Sequence, residues 1–435
     1  MIKLLILSLI IYNHCIAADN PDSASVTGWK LGGILPMLAY DTDLGLRYGA
    51  LAEIYDYGSG EYLPDYKQKF YLEYSLTTKG NATSQLTIDS KDIFGSSARL
   101  TGEINYVTEK ALDFYGFNGI ASGYINSYES TGSSLYKSRM YYRHAREMLR
   151  IAADMHFSFR TDVFKMFAGL AFFGINTGSV NISELNEGRS PPDLLPATDS
   201  VPGLYEQLVA AGIIPDSEKN GGNIMLLRLG FVHDSRDNES FPTKGTWAEA
   251  FIQGAPVIDK KPGYSQFVLT ARKYFSLTGK GNPVFACRVS YSTKIGGHIP
   301  FYMLPFYFNT VETRDGFGSG KTIRGILRNR LAADAVFFGN FELRWKFFEF
   351  RLFGQRFYSA LGAFFDTGVA VSNYPEGINS GIEGAGASAG RFHNSAGAGL
   401  HGAMNENFIV TMDLGKAFLE SDGDFGFYIH MNWLF

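Results

Sequence analysis

Three things are scarce in this sequence: long apolar runs, cysteine, and charge of one sign. Beyond the amino terminus, no segment approaches the roughly 18 consecutive apolar residues that a membrane-spanning helix needs. The two cysteines are Cys15 and Cys287, and the first lies in the leader described below, so an internal disulfide is not expected. The net charge is only −4 and no basic patch is present, which excludes a nucleic-acid partner.

The amino terminus has the pattern of a secretory signal. Lys3 precedes an apolar run over 4–12, and small residues follow at Ala17 and Ala18. This order predicts a signal peptide over residues 1–18, cleaved after Ala17 or Ala18, because the apolar core is too short for a membrane helix. The exported chain would then span residues 19–435.

Apolar and polar residues alternate along two stretches, 332–346 and 355–371. In the first, the apolar set is Ala333, Ala335, Phe337, Phe341, Leu343 and Trp345, against Asp334, Asn340, Glu342, Arg344 and Lys346. In the second, one face carries Leu361, Ala363, Phe365 and Val369, and the other carries Asp366 beside Tyr358, Phe364 and Gly368. A period of two gives each strand a lipid-facing side and a side turned to a polar lumen.

The same reading along the chain predicts sixteen strands, an even number that suits closure of a bacterial barrel. The four longest connections, 109–140, 177–222, 296–331 and 372–392, are all odd in order, so an up-and-down barrel sends them to one end. We therefore expect an all-β, 16-stranded antiparallel transmembrane β-barrel. The long loops would be extracellular, both termini periplasmic, and the loop at about 296–331 folded inward.

The first and last predicted strands, 28–38 and 424–435, differ in how well their residues suit a β-sheet. In the first strand, Gly32 and Gly33 offer no packing side chain and Pro36 cannot donate to a ladder. The last strand places Phe425, Phe427, Ile429, Met431, Trp433 and Phe435 on one face. This contrast predicts a weak lateral seam between the two strands; the alternative is that the glycines only relieve crowding.

Two short patterns suggest enzymes but lack the right flanks. The G-x-S-x-G pattern at 386–390 lies in a Gly/Ala-rich loop rather than between a strand and a helix. The stretch 316–322 resembles a phosphate-binding loop, but Asp315 stands where glycine is needed. The histidines show no pair at metal-ligand spacing, so neither catalysis, a metal nor a cofactor is expected.

Several motifs, taken together and in order, resemble the Omp85 superfamily, the BamA/TamA group also called bacterial surface antigen D15. They are Leu229-Gly230-Phe231 with Asp234-Ser235-Arg236-Asp237-Asn238, Pro242 to Gly245, Ile299-Pro300-Phe301-Tyr302, Thr322-Ile323-Arg324-Gly325-Ile326, Gly339-Asn340-Phe341-Glu342-Leu343-Arg344, Phe364-Phe365-Asp366-Thr367-Gly368, and Gly397 to Leu400. The resemblance spans about residue 28 to Phe435. It departs where Phe308 to Asp315 replace a short Gly-Gly turn, and where Ile326 stands at an aromatic position.

In that family the loop arginine reaches into the lumen and pairs with the aspartate of F-x-D-x-G. The resemblance therefore implies a tether between Arg324 and Asp366, with Glu342 nearby; the alternative is an arginine free in a solvated loop. It also implies an outer-membrane protein of a Gram-negative bacterium.

The resemblance further implies non-enzymatic insertion or translocation of client outer-membrane or secreted proteins through a seam that opens sideways. About ten residues separate the expected cleavage site from the first strand, which predicts a member without POTRA domains. A periplasmic chaperone or lipoprotein would then supply the client-docking surface. A passive solute channel and a secretion pore for one substrate remain alternatives.

Overall fold

A computed structural model describes residues 27–435, apart from 62–65, 94–97, 118–123, 160, 192, 240, 257–262, 279–280, 353–354, 373, 375–389 and 405–407. The strands are β1 (Trp29–Asp41), β2 (Gly45–Asp56), β3 (Gln68–Thr77), β4 (Asn81–Ser90), β5 (Ala98–Asp113), β6 (Arg143–Phe159), β7 (Thr161–Gly178), β8 (Gly222–Asp234), β9 (Gly245–Ala255), β10 (Tyr264–Ser276), β11 (Val284–Gly297), β12 (Phe306–Phe308), β13 (Thr313–Asp315), β14 (Ala335–Leu352), β15 (Gln355–Ala370), β16 (His393–Met404), β17 (Phe408–Ala417) and β18 (Phe425–Met431). Two short helices, α1 (Ile182–Leu185) and α2 (Leu204–Ala210), lie between β7 and β8. The signal peptide and most of the 386–390 pattern lie outside the described residues.

Sixteen of these strands close into one antiparallel barrel, which confirms the predicted fold. The alternation of the sequence becomes an outer and an inner face, as in β14, where Leu343 and Trp345 are exposed while Glu342 and Arg344 are buried. Ala333 and Asp334, predicted at the start of this strand, are buried residues that precede it. None of the helices in the described ranges is long and apolar enough to cross a membrane.

We call the end of the barrel where β1 begins the terminal end, and the opposite end the loop end. The long connections 114–142, 179–221 and 298–334 all leave from the loop end. Residues 298–334, here the lumenal loop, turn back into the barrel and contain the small hairpin β12–β13. Aromatic residues of the other two connections, among them Tyr115, Tyr142 and Tyr205, share one buried cluster with Phe301 of the loop.

The seam between the first and last strands is short. Among the described residues, β1 pairs with β2 along its whole length, but with β18 only at Tyr40–Ile429 and Asp41–Tyr428. Pro36 lies opposite Ala50 of β2 and outside these positions. Because β18 ends at Met431, Gly32, Gly33 and Pro36 lie beyond its last residue in this register, and their part in weakening the seam stays a prediction.

The last strand ends four residues before its predicted limit. Met431 is its final residue, and Asn432 turns the chain with a φ of 66°. Trp433, Leu434 and Phe435 are then buried inside the barrel. The prediction that Trp433 and Phe435 belong to one face of the last strand was wrong, because alternation assumes that the strand continues to residue 435.

Candidate functional site

Arg324 lies in the lumenal loop and is held by carboxylates from the barrel wall. Its Nε and Nη2 donate to the two carboxylate oxygens of Asp366 at 2.9 and 3.1 Å, and its backbone N–H donates to the same group at 3.0 Å. Nη2 also lies 2.7 Å from Glu342, and Nη1 lies 3.3 Å from Asp413. The guanidinium carbon is 3.5 Å from the centre of the Phe364 ring. We call these residues the tether site.

The tether site is closed to solvent, because Arg324 is 1% exposed and Asp366 is 0% exposed. Its carboxylates have further partners: Nε of Arg344 donates to Glu342 at 2.8 Å, and Nε2 of His401 lies 2.9 Å from Asp413. Since a buried ion pair is favourable only when its remaining hydrogen-bonding groups are also satisfied, this network fixes the position of the arginine.

Two glycines allow the loop to approach the wall. Gly325 has a φ of +84°, and a Cβ there would lie 2.8 Å from the backbone of Gly415 in β17. At Gly368 in β15, a Cβ would lie 2.3 Å from Cδ1 of Ile323. The glycines predicted from the motifs are therefore places where the loop and the barrel touch.

The other motif residues divide into two groups. Asn340 belongs to the site because its Nδ2 donates to the carbonyl of Thr322 at 2.7 Å, and Ile323 and Ile326 are buried in the adjoining apolar cluster. Gly339 lies beside Asn340 in β14. Asp234 and Arg236, by contrast, pair with each other at the turn between β8 and β9, in two hydrogen bonds of 2.8 Å.

A second set of ion pairs holds the lumenal loop to the opposite wall of the barrel, and it was not predicted from the sequence. Arg328 of the loop donates to Glu109 of β5 at 2.7 Å and to Asp315 at 3.0 Å, and Arg146 of β6 bonds both carboxylates. Asp413 was also missed as a ligand of Arg324. Its position in the alternation of β17 predicts that its side chain faces the lumen, but the sequence does not predict that it lies near Arg324.

The loop also contacts both strands of the seam. The Ser319 hydroxyl donates to Asp41 of β1 at 3.0 Å. The backbone N–H of Gly325 donates to the hydroxyl of Tyr428 in β18 at 3.0 Å. Because Asp41 and Tyr428 are one of the two registered pairs between these strands, the loop spans the seam where it is closed.

Glu312 and His298 are among the loop residues whose pKa values are shifted. Burial would raise the pKa of Glu312, but Arg314 and Lys321 lower it to about 2. At the loop end, Nε2 of His298 lies 2.5 Å from Glu218, and this hydrogen bond raises the pKa of the histidine. In the described ranges, no cluster of His, Cys, Asp or Glu suits a metal ion.

The geometry defines a closed sixteen-stranded β-barrel with a charged loop tethered in its lumen. The chain belongs to the Omp85 superfamily, because the Omp85 superfamily domain model matches residues 66–405. None of the curated proteins matches the sequence significantly.

Solved structures share the fold at low identity. BamA from Haemophilus ducreyi lacking POTRA domains 1–3 is 15% identical with a TM-score of 0.55, over 92% of this chain and 70% of that one. CdiB from Escherichia coli is 9% identical with a TM-score of 0.53, over 92% of this chain and 63% of that one. The chain thus spans less than two thirds of CdiB.

Proposed function

We propose that this protein inserts or translocates client proteins at the outer membrane through its seam. The observation that carries the proposal is the seam itself, with two registered pairs and a free edge along the rest of β1 in the described part of the chain. A free backbone edge can template an incoming strand. The structural likeness to BamA and CdiB, both Omp85-type barrels, supports this use.

On this proposal the terminal end faces the periplasm. The unpaired part of β1 lies toward that end, so it meets clients that arrive from the periplasm. A periplasmic chaperone or a lipoprotein brings the client to the barrel. Outer-membrane lipids surround the apolar outer face. No cofactor enters the mechanism, because strand exchange is driven by backbone pairing.

The test is to lock the seam. In a Cys287→Ser background, Tyr40→Cys with Ile429→Cys joins β1 to β18 at a registered pair, and Trp345→Cys with Leu361→Cys joins β14 to β15 as a matched control. The protein is reconstituted in liposomes and offered a urea-unfolded eight-stranded barrel as the client.

We expect the oxidised seam pair to abolish folding of the client into the liposomes, and reduction to restore it. The control disulfide should change nothing. Equal client folding with an open or a locked seam would overturn the proposal, and solute flux that persists in the locked protein would favour the passive channel. Transport of one exported substrate without membrane insertion would favour the secretion pore.

A further inference from the structure

The hairpin formed by the end of β14 and the start of β15 projects beyond the barrel wall at the terminal end. β11 begins at Val284, which pairs with Arg344, whereas β14 continues to Leu352. Residues 345–352 of β14, eight in all, thus extend past the start of the neighbouring strand. We call residues 347–357 the projecting hairpin.

The backbone edge of the projecting hairpin on the β11 side is open. The side chain of Asn282 pairs with the backbone of Lys346: its Nδ2 donates to the carbonyl at 2.6 Å, and its Oδ1 accepts from the N–H at 2.9 Å. Beyond that point, no strand in the described part of the chain pairs with residues 347–352 on this side. Because each residue of a strand advances about 3.3 Å, the open edge is about 20 Å long. An edge of this length can template another strand.

One face of the projecting hairpin is aromatic. A β-bulge at Phe347 shifts the register, so that Phe348 lies opposite Ser359 and Phe350 lies opposite Phe357. The Phe350 ring centroid is 5.1 Å from that of Phe357 and 5.4 Å from that of Phe348. Phe348 and Phe350 are nevertheless 54% and 40% exposed. An apolar face therefore runs along the open edge.

The opposite face of the hairpin is basic. Arg351 lies directly opposite Arg356, and like charges in such a cross-strand pair repel each other. Arg356 pairs with Glu349 at 3.0 Å, and Arg351 is exposed. Since these residues supply two cations and one carboxylate, this face favours a neighbour with acidic side chains.

The open edge decides between lipid and protein as the cover for the hairpin. Unpaired backbone N–H and C=O groups cost several kcal/mol each in hydrocarbon, so the edge over 347–352 does not suit the interior of a membrane. A protein strand would satisfy these groups. Its apolar side chains would lie beside Phe348 and Phe350, and its acidic side chains would lie beside Arg351.

We propose that the edge of β14 over residues 347–352 is the docking site for an exposed strand of a periplasmic protein, apolar on one face and acidic on the other. This inference rests on the proposed function, which places the terminal end in the periplasm, and it assigns a docking site to the chaperone or lipoprotein partner. Three strands, β15, β16 and β17, separate β14 from β18, so the partner can stay bound while the seam opens.

The test measures peptide binding by fluorescence anisotropy on the purified full chain in detergent micelles. The probe is a dye-labelled synthetic peptide of alternating valine and glutamate. One control probe has lysine in place of glutamate. The other is N-methylated on two adjacent central residues, which keeps the side chains but blocks both edges of the peptide. In the protein, Arg351→Glu reverses a charge at the site, and Arg189→Glu reverses an exposed charge at the loop end as the matched control.

We expect the glutamate probe to bind at least about tenfold more tightly than either control probe, and Arg351→Glu to weaken its binding about tenfold. Arg189→Glu should not change binding. Absence of binding, equal binding of the methylated probe, or equal effects of the two arginine variants would overturn the proposal.

Cysteine capture locates the bound probe, because β1 also has an open edge among the described residues. In the Cys287→Ser background, Leu352→Cys and Leu31→Cys are each offered the glutamate probe with a terminal cysteine; both leucines are about half exposed. We expect faster disulfide capture at Leu352→Cys. Faster capture at Leu31→Cys would overturn the site, and Leu352→Cys dimers that form without the probe would assign the edge to a second copy of the chain instead.

A measurement in nanodiscs decides whether lipid covers the hairpin. A fluorophore on Phe350→Cys should be quenched by nitroxide lipids much less than one on Leu343→Cys, which lies on the outer face of the barrel wall. Equal quenching would overturn the docking site in favour of the membrane. Client folding through an unlocked seam without probe capture at Leu352→Cys would sink the docking site alone. Probe capture there without client folding would sink the proposed function alone.

Discussion

Asp41 and Tyr428 face each other across the seam, and each is hydrogen-bonded to the lumenal loop 3.0 Å away. The same loop carries Arg324, whose partners Glu342, Asp366 and Asp413 lie on β14, β15 and β17. One short segment, 319–325, thus joins the tether site to the closed part of the seam. Loosening of the tether should therefore weaken the contacts of the loop with the seam, because both sets of contacts belong to the same short run of backbone.

The tether itself gives the first prediction. Arg324→Gln removes the guanidinium from three buried carboxylates, and although Glu342 keeps Arg344 and Asp413 keeps His401, the free energy of unfolding should fall by about 3–5 kcal/mol. Arg324→Lys keeps the charge but loses the bidentate contact with Asp366, and should cost less. Limited trypsin digestion should cleave residues 298–334 faster in both variants while the barrel stays intact.

Arg356→Gln is the control for this series, since Arg356 pairs with Glu349 on an exposed hairpin. An exposed pair contributes about 0–1 kcal/mol, so cleavage of the loop should not change. Loop cleavage in Arg324→Gln that equals that of the natural chain would contradict the tether.

Gly368 gives a prediction about packing. Gly368→Ala places a Cβ 2.3 Å from Cδ1 of Ile323, which is fully buried, so the loop must shift at a cost of about 1–3 kcal/mol. Ile323→Ala removes the clashing atom and should recover part of the loss. The measurement is a double-mutant cycle on thermal stability.

Gly402→Ala is the matched control, because a Cβ at Gly402 meets nothing within 4 Å. Its stability should be close to that of the natural chain. Strictly additive costs for Gly368→Ala and Ile323→Ala would show that the two residues do not touch.

His298 and Glu218 predict a pH dependence at the loop end. The pKa of His298 is raised by its hydrogen bond to Glu218, with a smaller rise from Asp334 and a lowering from burial and Lys294. A histidine with a raised folded pKa stabilises the protein fully below its unfolded pKa, and this contribution is lost as pH rises through the folded pKa. Thermal stability should therefore decrease as the pH rises through that window.

Glu218→Gln keeps an acceptor for the backbone N–H of Phe301, which donates to Glu218 at 3.0 Å, but removes the charge. The pH dependence of the loop end should flatten in this variant while the loop stays packed. An unchanged pH profile would contradict the assignment to this pair.

The barrel was readable from the sequence because an inner and an outer face impose a period of two on every strand. Arg324 and Asp366 were predicted together through the family resemblance, while alternation alone turned Asp366 toward the lumen. The pairing of Arg328 with Glu109 joins residues far apart in the chain without any local pattern, so nothing in the sequence indicated it. The inward turn after Met431 was not predicted for another reason. Trp433 and Phe435 continue the alternating pattern of the strand, although the backbone is no longer a strand at these residues.

Ser319 gives the last prediction, which concerns the seam. Ser319→Ala removes the hydrogen bond to Asp41 and leaves the loop otherwise intact, so β1 should separate from β18 more often. In the Cys287→Ser background with Tyr40→Cys and Ile429→Cys, the fully reduced protein should form the seam disulfide more slowly, by roughly two- to tenfold for a bond of about 0.5–1.5 kcal/mol. Val311→Ala changes an exposed residue of the same loop and should leave the rate unchanged. A disulfide rate in Ser319→Ala equal to that in Val311→Ala would show that the loop does not hold the seam closed.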